Sequence, residues 1–144
     1  MTDRTLPWPV RLLAGLTLVQ GLAFAALGAA TLIELLLSFD LVPGTPIGFF
    51  GALIAVALLA LGGTLTATGW FLGQGSRPAL LAAIVVSALQ VGGWGLFGFV
   101  GGWIASLVGL GAWTVTIGAG LSAWNLGAML YLIFSPGVRE AFRR

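Results

Sequence analysis

The chain has no cysteine and no histidine, its six basic residues are all arginine, and it has only four carboxylate side chains in 144 residues. Without cysteine there is no disulfide, no thiolate nucleophile and no thiolate metal ligand. Without histidine or lysine, the serine and threonine hydroxyls lack a base to activate them, and a metal site lacks its usual nitrogen donors. Paired catalytic carboxylates are missing as well. Glycine is plentiful at 23 residues, but no glycine-rich phosphate cradle with its lysine occurs. The composition therefore predicts a protein that is not an enzyme and needs no metal or cofactor.

Charge is equally scarce. Charged residues make up 7 % of the chain and apolar ones 59 %, where soluble domains average about a quarter charged. The apolar runs are long enough to span a hydrocarbon core of about 30 Å at 1.5 Å per residue. One integral membrane domain over residues 1–144 is expected, with no extramembrane module in its loops.

What charge there is follows a pattern. Arg4, Arg11, Arg77, Arg139, Arg143 and Arg144 fall in the first, middle and last polar intervals. If the chain between these intervals crosses a bilayer and returns, all six lie on one face, as the positive-inside bias requires. They do not cluster with interleaved aromatics, so the partner implied is anionic lipid in the bilayer and not nucleic acid. The expected fold is all-α: four transmembrane helices packed as a compact bundle, with both termini on the cytoplasmic side. Arginine without lysine, beside much alanine, glycine and leucine, points to the plasma membrane of a bacterium with a GC-rich genome.

Proline, glycine and tryptophan place the helices at about 10–37, 47–72, 79–99 and 109–134. Pro7-Trp8-Pro9 suits entry at the interface. The first apolar run is longer than a signal-peptide core, so an uncleaved start is expected, with Ala23-Phe24-Ala25 as the nearest alternative cleavage site. Asp40, Pro43, Gly44 and Pro46 mark the first turn, at 38–46, and Gly73-Gln74-Gly75 the second. Gly92 to Gly111, crowded with glycine and holding Trp94 and Trp103, admits three readings: a helix end with a short loop, a tilted interfacial helix, or a re-entrant hairpin. An internal duplication is weighed against chance, since Gln20, Phe24 and Gly28 recur at the same offsets as Gln90, Trp94 and Gly98.

Small and polar residues at helical spacing predict the protein-facing side of each span. The stripes are Thr17, Gln20, Phe24, Gly28, Thr31, Glu34 and Ser38 on the first helix, and Gly48, Gly51, Ala55, Gly62, Thr66, Gly69 and Gly73 on the second. On the third and fourth they are Ser87, Gln90 and Trp94, and Thr114, Gly118, Ser122, Asn125 and Met129. Counted from the basic side, Gln20, Gln90 and Asn125 fall near mid-membrane. They are candidate polar or partner contacts, read either as amides hydrogen-bonding one another or as steps on a permeation path. Glu34, the acid inside an apolar run, is the fourth candidate; it lies about 34 Å from Arg11 along the helix, at the far interface.

The closing segment carries Asn125, Leu126, Tyr131, Leu132, Pro136, Gly137, Val138, Arg139 and Phe142. It resembles the carboxyl end of uncharacterised small bacterial four-helix integral membrane proteins, a resemblance that implies the fold and no activity. Val138, Phe142 and the arginines also predict a short interfacial helix with its apolar side in lipid.

The function expected is non-enzymatic helix association, as a homo-oligomer or as an accessory subunit of a membrane-protein complex. The alternative is a small oligomeric transporter or channel with a mid-membrane polar cluster. A third, lipid-binding reading requires a groove between helices that opens near the arginine face.

Overall fold

The computed structural model of the chain describes residues 6–37, 46–107 and 109–143. Five helices carry the described residues: α1 (Trp8–Leu37), α2 (Pro46–Gly73), α3 (Arg77–Ser106), α4 (Gly111–Phe134) and the short α5 (Pro136–Ala141). The first four are long and apolar enough to cross a membrane. Arg4, Arg144 and the first turn, with Asp40, Pro43 and Gly44, lie outside the described residues.

Proline sets where helices begin. Pro46 and Pro136 open α2 and α5, and Pro78 stands in the first turn of α3, where a missing N–H costs nothing. Two glycines set where helices reverse. Gly75 and Gly109 both take φ +77°, a conformation that strains any residue with a Cβ. At the second of these, Leu110 N–H reaches back to Ala105 O at 2.9 Å and Gly109 N–H to Ser106 O at 3.2 Å, closing the end of α3.

α3 departs from the sequence reading. It does not end near residue 99 but runs on through a π-helical turn at Phe97–Gly101 to Ser106, and α4 starts at Gly111 instead of Gly109. The glycine cluster is therefore helical, not a re-entrant hairpin. In water these glycines would break a helix, because the solvent competes for their backbone groups. In hydrocarbon each N–H and C=O must be satisfied within the segment, so the helix persists. Glycine also leaves room for the wider turn.

Much of the large apolar surface faces outward. Leu107, Phe99 and Trp103 are 84, 78 and 77 % exposed, while Leu65, Leu72 and Leu132 are buried together with Ala14, Ala55, Ala79 and Ala83. Such an extent of exposed large apolar groups suits an apolar solvent.

The chain folds as two units, Arg11–Gln74 and Met1–Val10 with Gly75–Arg144. In the first, α1 and α2 run antiparallel and meet backbone to backbone. A Cβ on Gly28 would stand 2.9 Å from Ala55 O, and one on Gly69 would stand 2.7 Å from Ala14 O. Gly21 faces the Thr66 backbone nitrogen, and Gly62 faces that of Ala25. The α2 stripe is the one read from sequence. On α1 the closest backbone approaches fall at Ala14, Leu18, Gly21, Ala25 and Gly28; of the expected stripe Gly28 is buried, Thr17, Gln20, Phe24 and Thr31 are half-buried and Glu34 is exposed.

In the second unit α3 and α4 are joined in the same way. Gly98 lies against Gly118, with a Cβ on Gly98 3.2 Å from the Gly118 Cα, and a Cβ on Gly111 would stand 2.8 Å from Gly102 O. Ser122 Oγ donates to Val91 O at 3.0 Å, tying α4 to α3.

One end of this second unit gathers the amino-terminal lead, the middle turn and the tail. The Leu6 side chain is 3.6 Å from the Cβ position of Gly75, and Pro7 is 4.0 Å from that of Gly137. Arg77 Nε donates to Phe142 O, and Arg139 Nε to Ile133 O at 3.1 Å, where the end of α4 leaves carbonyls without helical partners. Val138 and Phe142 are 0 and 4 % exposed. The apolar side of α5 is therefore turned into protein, not into lipid as its sequence suggested.

Two neighbouring glycines separate packing from propensity. A Cβ on Gly62 collides with the backbone of Ala25, whereas one on Gly63 meets nothing within 4 Å. Gly62→Ala is expected to destabilise the α1–α2 hairpin by about 1–3 kcal/mol. Gly63→Ala should leave stability unchanged or raise it by up to about 1 kcal/mol. Thermal unfolding of both variants in one detergent checks the opposite signs.

Candidate functional site

The polar groups of the spans are mostly spent on their own helices. Thr17 Oγ1 donates to Leu13 O at 2.7 Å, Thr66 to Gly62 O at 2.8 Å and Thr116 to Ala112 O at 2.8 Å. Thr31, Thr64 and Thr114 make the same four-residue return bond. Such bonds satisfy a hydroxyl in hydrocarbon without offering it to a ligand.

The three amides expected near mid-membrane differ from one another. Asn125 is buried at 7 % exposure, and its Nδ2 donates to Leu121 O at 2.8 Å, one turn back on α4. Gln90, on α3 of the same unit, has a buried Nε2 with no acceptor among the described residues. These two amides therefore do not bond each other. Gln20 is half-buried on α1, in the other unit. Glu34 is exposed, one turn before the end of α1 at Leu37. Among the described residues no three carboxylates cluster as a metal site would require.

Among the described residues a groove lies on each helix pair. One, of about 600 Å³, runs along α3 and α4 over Gly95, Gly98 and Gly102 on one side and Ala112 and Ala119 on the other, with Trp103 at its rim. No charged side chain lines it. The other, of about 330 Å³, lies between α1 and α2 near the start of α1 and the end of α2, and Arg11 is part of its lining.

Sequence reasoning did not find Gly21, Gly95, Gly98 or Gly102 as contact residues. The available signal was residue size: Ala14, Gly21 and Gly28 recur every seventh position, and Gly95, Gly98 and Gly102 follow a three-four spacing.

Gln90 and Ser122 are expected to respond in opposite ways. Gln90→Leu removes a buried donor without an acceptor and should stabilise the protein by about 1–3 kcal/mol. Ser122→Ala removes a bond between spans and should cost about 0.6 kcal/mol. Unfolding midpoints in a common detergent measure both.

Comparison with protein-family models, with curated proteins and with solved structures finds no match for this chain.

Proposed function

We propose that this is a non-enzymatic multi-pass membrane protein that acts by helix association, as a homo-oligomer or as an accessory subunit of a larger membrane complex. Its setting is a bacterial plasma membrane, with both termini in the cytoplasm. The observation that carries the reading is the α3–α4 groove, whose floor is glycine backbone and whose walls carry no charge. In lipid no hydrophobic drive brings helices together, so adhesion depends on close van der Waals fit along small residues. The contact that joins α3 to α4 is of this kind, and the groove offers the same surface to a third helix. The α2 and α4 spans contain no charged residue, which leaves little for chemistry along their length.

A second reading is favoured by one atom. The buried, unpartnered Nε2 of Gln90 is a donor that a passing solute or water would satisfy, as a transport route requires. Glu34 would then stand near the outer mouth.

Extracted in mild detergent, the protein is expected to migrate as an assembly larger than one chain. Ala119→Trp, which fills the groove from an exposed position, should reduce that assembly to a single chain without unfolding it. A wild-type single chain that carries a solute into vesicles, with the flux lost in Gln90→Leu, supports transport instead. Cysteines placed at positions 77 and 143 should both react from the cytoplasmic face of oriented membranes; reaction from opposite faces would overturn the topology.

A further inference from the structure

The smaller groove belongs wholly to the α1–α2 unit, and its lining has a polarity gradient. Arg11 and Gln74 lie at the ends of the two helices, Trp70 one turn deeper, and Ala14, Gly69 and Leu18 below. From Arg11 to Leu18 the depth is about 10 Å along the helix. Lower down the helices are in backbone contact at Gly69, which closes the floor. Higher up the walls are missing: a Cβ on Gly15 would meet nothing within 4 Å, and one on Gly73 would meet only the Ala14 Cβ at 3.7 Å.

Among the described residues Arg11, at this mouth, has no compensating carboxylate. It is exposed, makes no ion pair or hydrogen bond among the described residues, and no carboxylate lines the groove. It also stands in the first turn of α1, where the helix dipole disfavours a cation and favours an anion. Trp70 is 59 % exposed, and an indole with one apolar face and one N–H donor is suited to headgroup depth. A volume of about 330 Å³ is at the low end of ligand-sized sites. It accommodates a headgroup and the top of one acyl chain, not a whole lipid.

We propose that the α1–α2 groove is a binding site for an anionic glycerophospholipid, with the phosphate at Arg11 and Gln74, the glycerol region beside Trp70, and the start of one acyl chain in the trench left by Gly15 and Gly73. The guanidinium supplies the charge that distinguishes a net-negative headgroup from a zwitterionic one. The glycines supply space, since any larger residue at position 15 occupies the chain's path. The site rests on the α1–α2 unit alone and does not depend on whether the protein associates through α3 and α4.

The test is retention of phosphatidylglycerol against phosphatidylcholine of the same acyl composition. Full-length protein in mild detergent is equilibrated with equal amounts of both lipids and read by native mass spectrometry. Wild type is expected to hold phosphatidylglycerol about five-fold over phosphatidylcholine. Arg11→Gln should abolish the preference while some binding of both lipids remains, and Gly15→Leu should reduce the binding of both. Arg143→Gln, an equal loss of charge at an exposed tail position, should keep the wild-type preference. Equal retention of the two lipids by wild type would overturn the site. So would a wild-type preference surviving in Arg11→Gln, undiminished binding of both lipids in Gly15→Leu, or an equal loss in Arg143→Gln, which would assign the selectivity to net charge.

Discussion

Contact between bare glycine backbones is the interaction on which both helix pairs depend. A solvent that cannot hydrogen-bond forces each N–H and C=O to be satisfied within its own helix. Once that is done, the helices present apolar cylinders that lipid solvates as well as another helix would. Adhesion then rests on how closely two backbones can approach. Gly28 against Ala55 and Leu59, Gly69 against Ala14 and Leu18, and Gly98 against Gly118 bring them to distances at which a Cβ would stand 3.2 Å or less from the facing chain. Where backbones meet, large side chains are displaced from the contact, and many leucines, phenylalanines and tryptophans stand outside.

The same constraint decides what could be read from sequence. The α2 face was legible because its glycines and alanines recur at helical spacing among large residues, and in lipid small size marks the contact side. On α1 the contact residues Ala14 and Gly21 were passed over because polarity was allowed to decide: Thr17 and Thr31 are half-buried but return their hydroxyls to Leu13 and Leu27 on the same helix. A threonine satisfied in this way has no need of a neighbour. The glycines from Gly92 to Gly111 left three readings open, because the rule that glycine ends a helix holds in water. In hydrocarbon those from Gly92 to Gly102 continue the helix and supply its contact surface. The tail erred the other way: Val138 and Phe142 read as an amphipathic face seeking lipid, and the protein itself provides the cover. As for the candidate site, sequence could place Gln90 and Asn125 at mid-span but not distinguish them. Whether an amide finds a carbonyl one turn back depends on its rotamer, and Asn125 does so where Gln90 does not.

The suspected duplication gains content on the leading helices and loses it on their partners. Gly28 and Gly98 occupy equivalent positions and both bring α1 and α3 against the following helix. Gln20 and Gln90 are both half-buried, as are Phe24 and Trp94. The returning helices do not keep the offset. Gly28 meets Ala55 and Leu59, whereas Gly98 meets Gly118, whose counterpart at that offset is Gly48. A shared solution to close packing accounts for two glycines in like places without a common register, so the repeat is one of mechanism more than of sequence.

Charge placement completes the physical picture, because the two ends of the spans are treated differently. At one end Arg77 and Arg139 are spent on carbonyls of the tail and of α4, groups that a helix terminus leaves without partners. These arginines do structural work that a lysine's compact ammonium would do less well, since the planar guanidinium directs its N–H groups in a fixed fork. Arg11 shares their position in the charge pattern but not their role, because among the described residues it bonds to no carbonyl, and it opposes its own helix dipole. Orientation during insertion explains why a cation stands before α1, and it is indifferent to which side of the helix carries it. The location of this one over a trench floored by glycine needs a further cause. The proposed anionic lipid supplies one, since a negatively charged leaflet would present the ligand at the depth of the guanidinium.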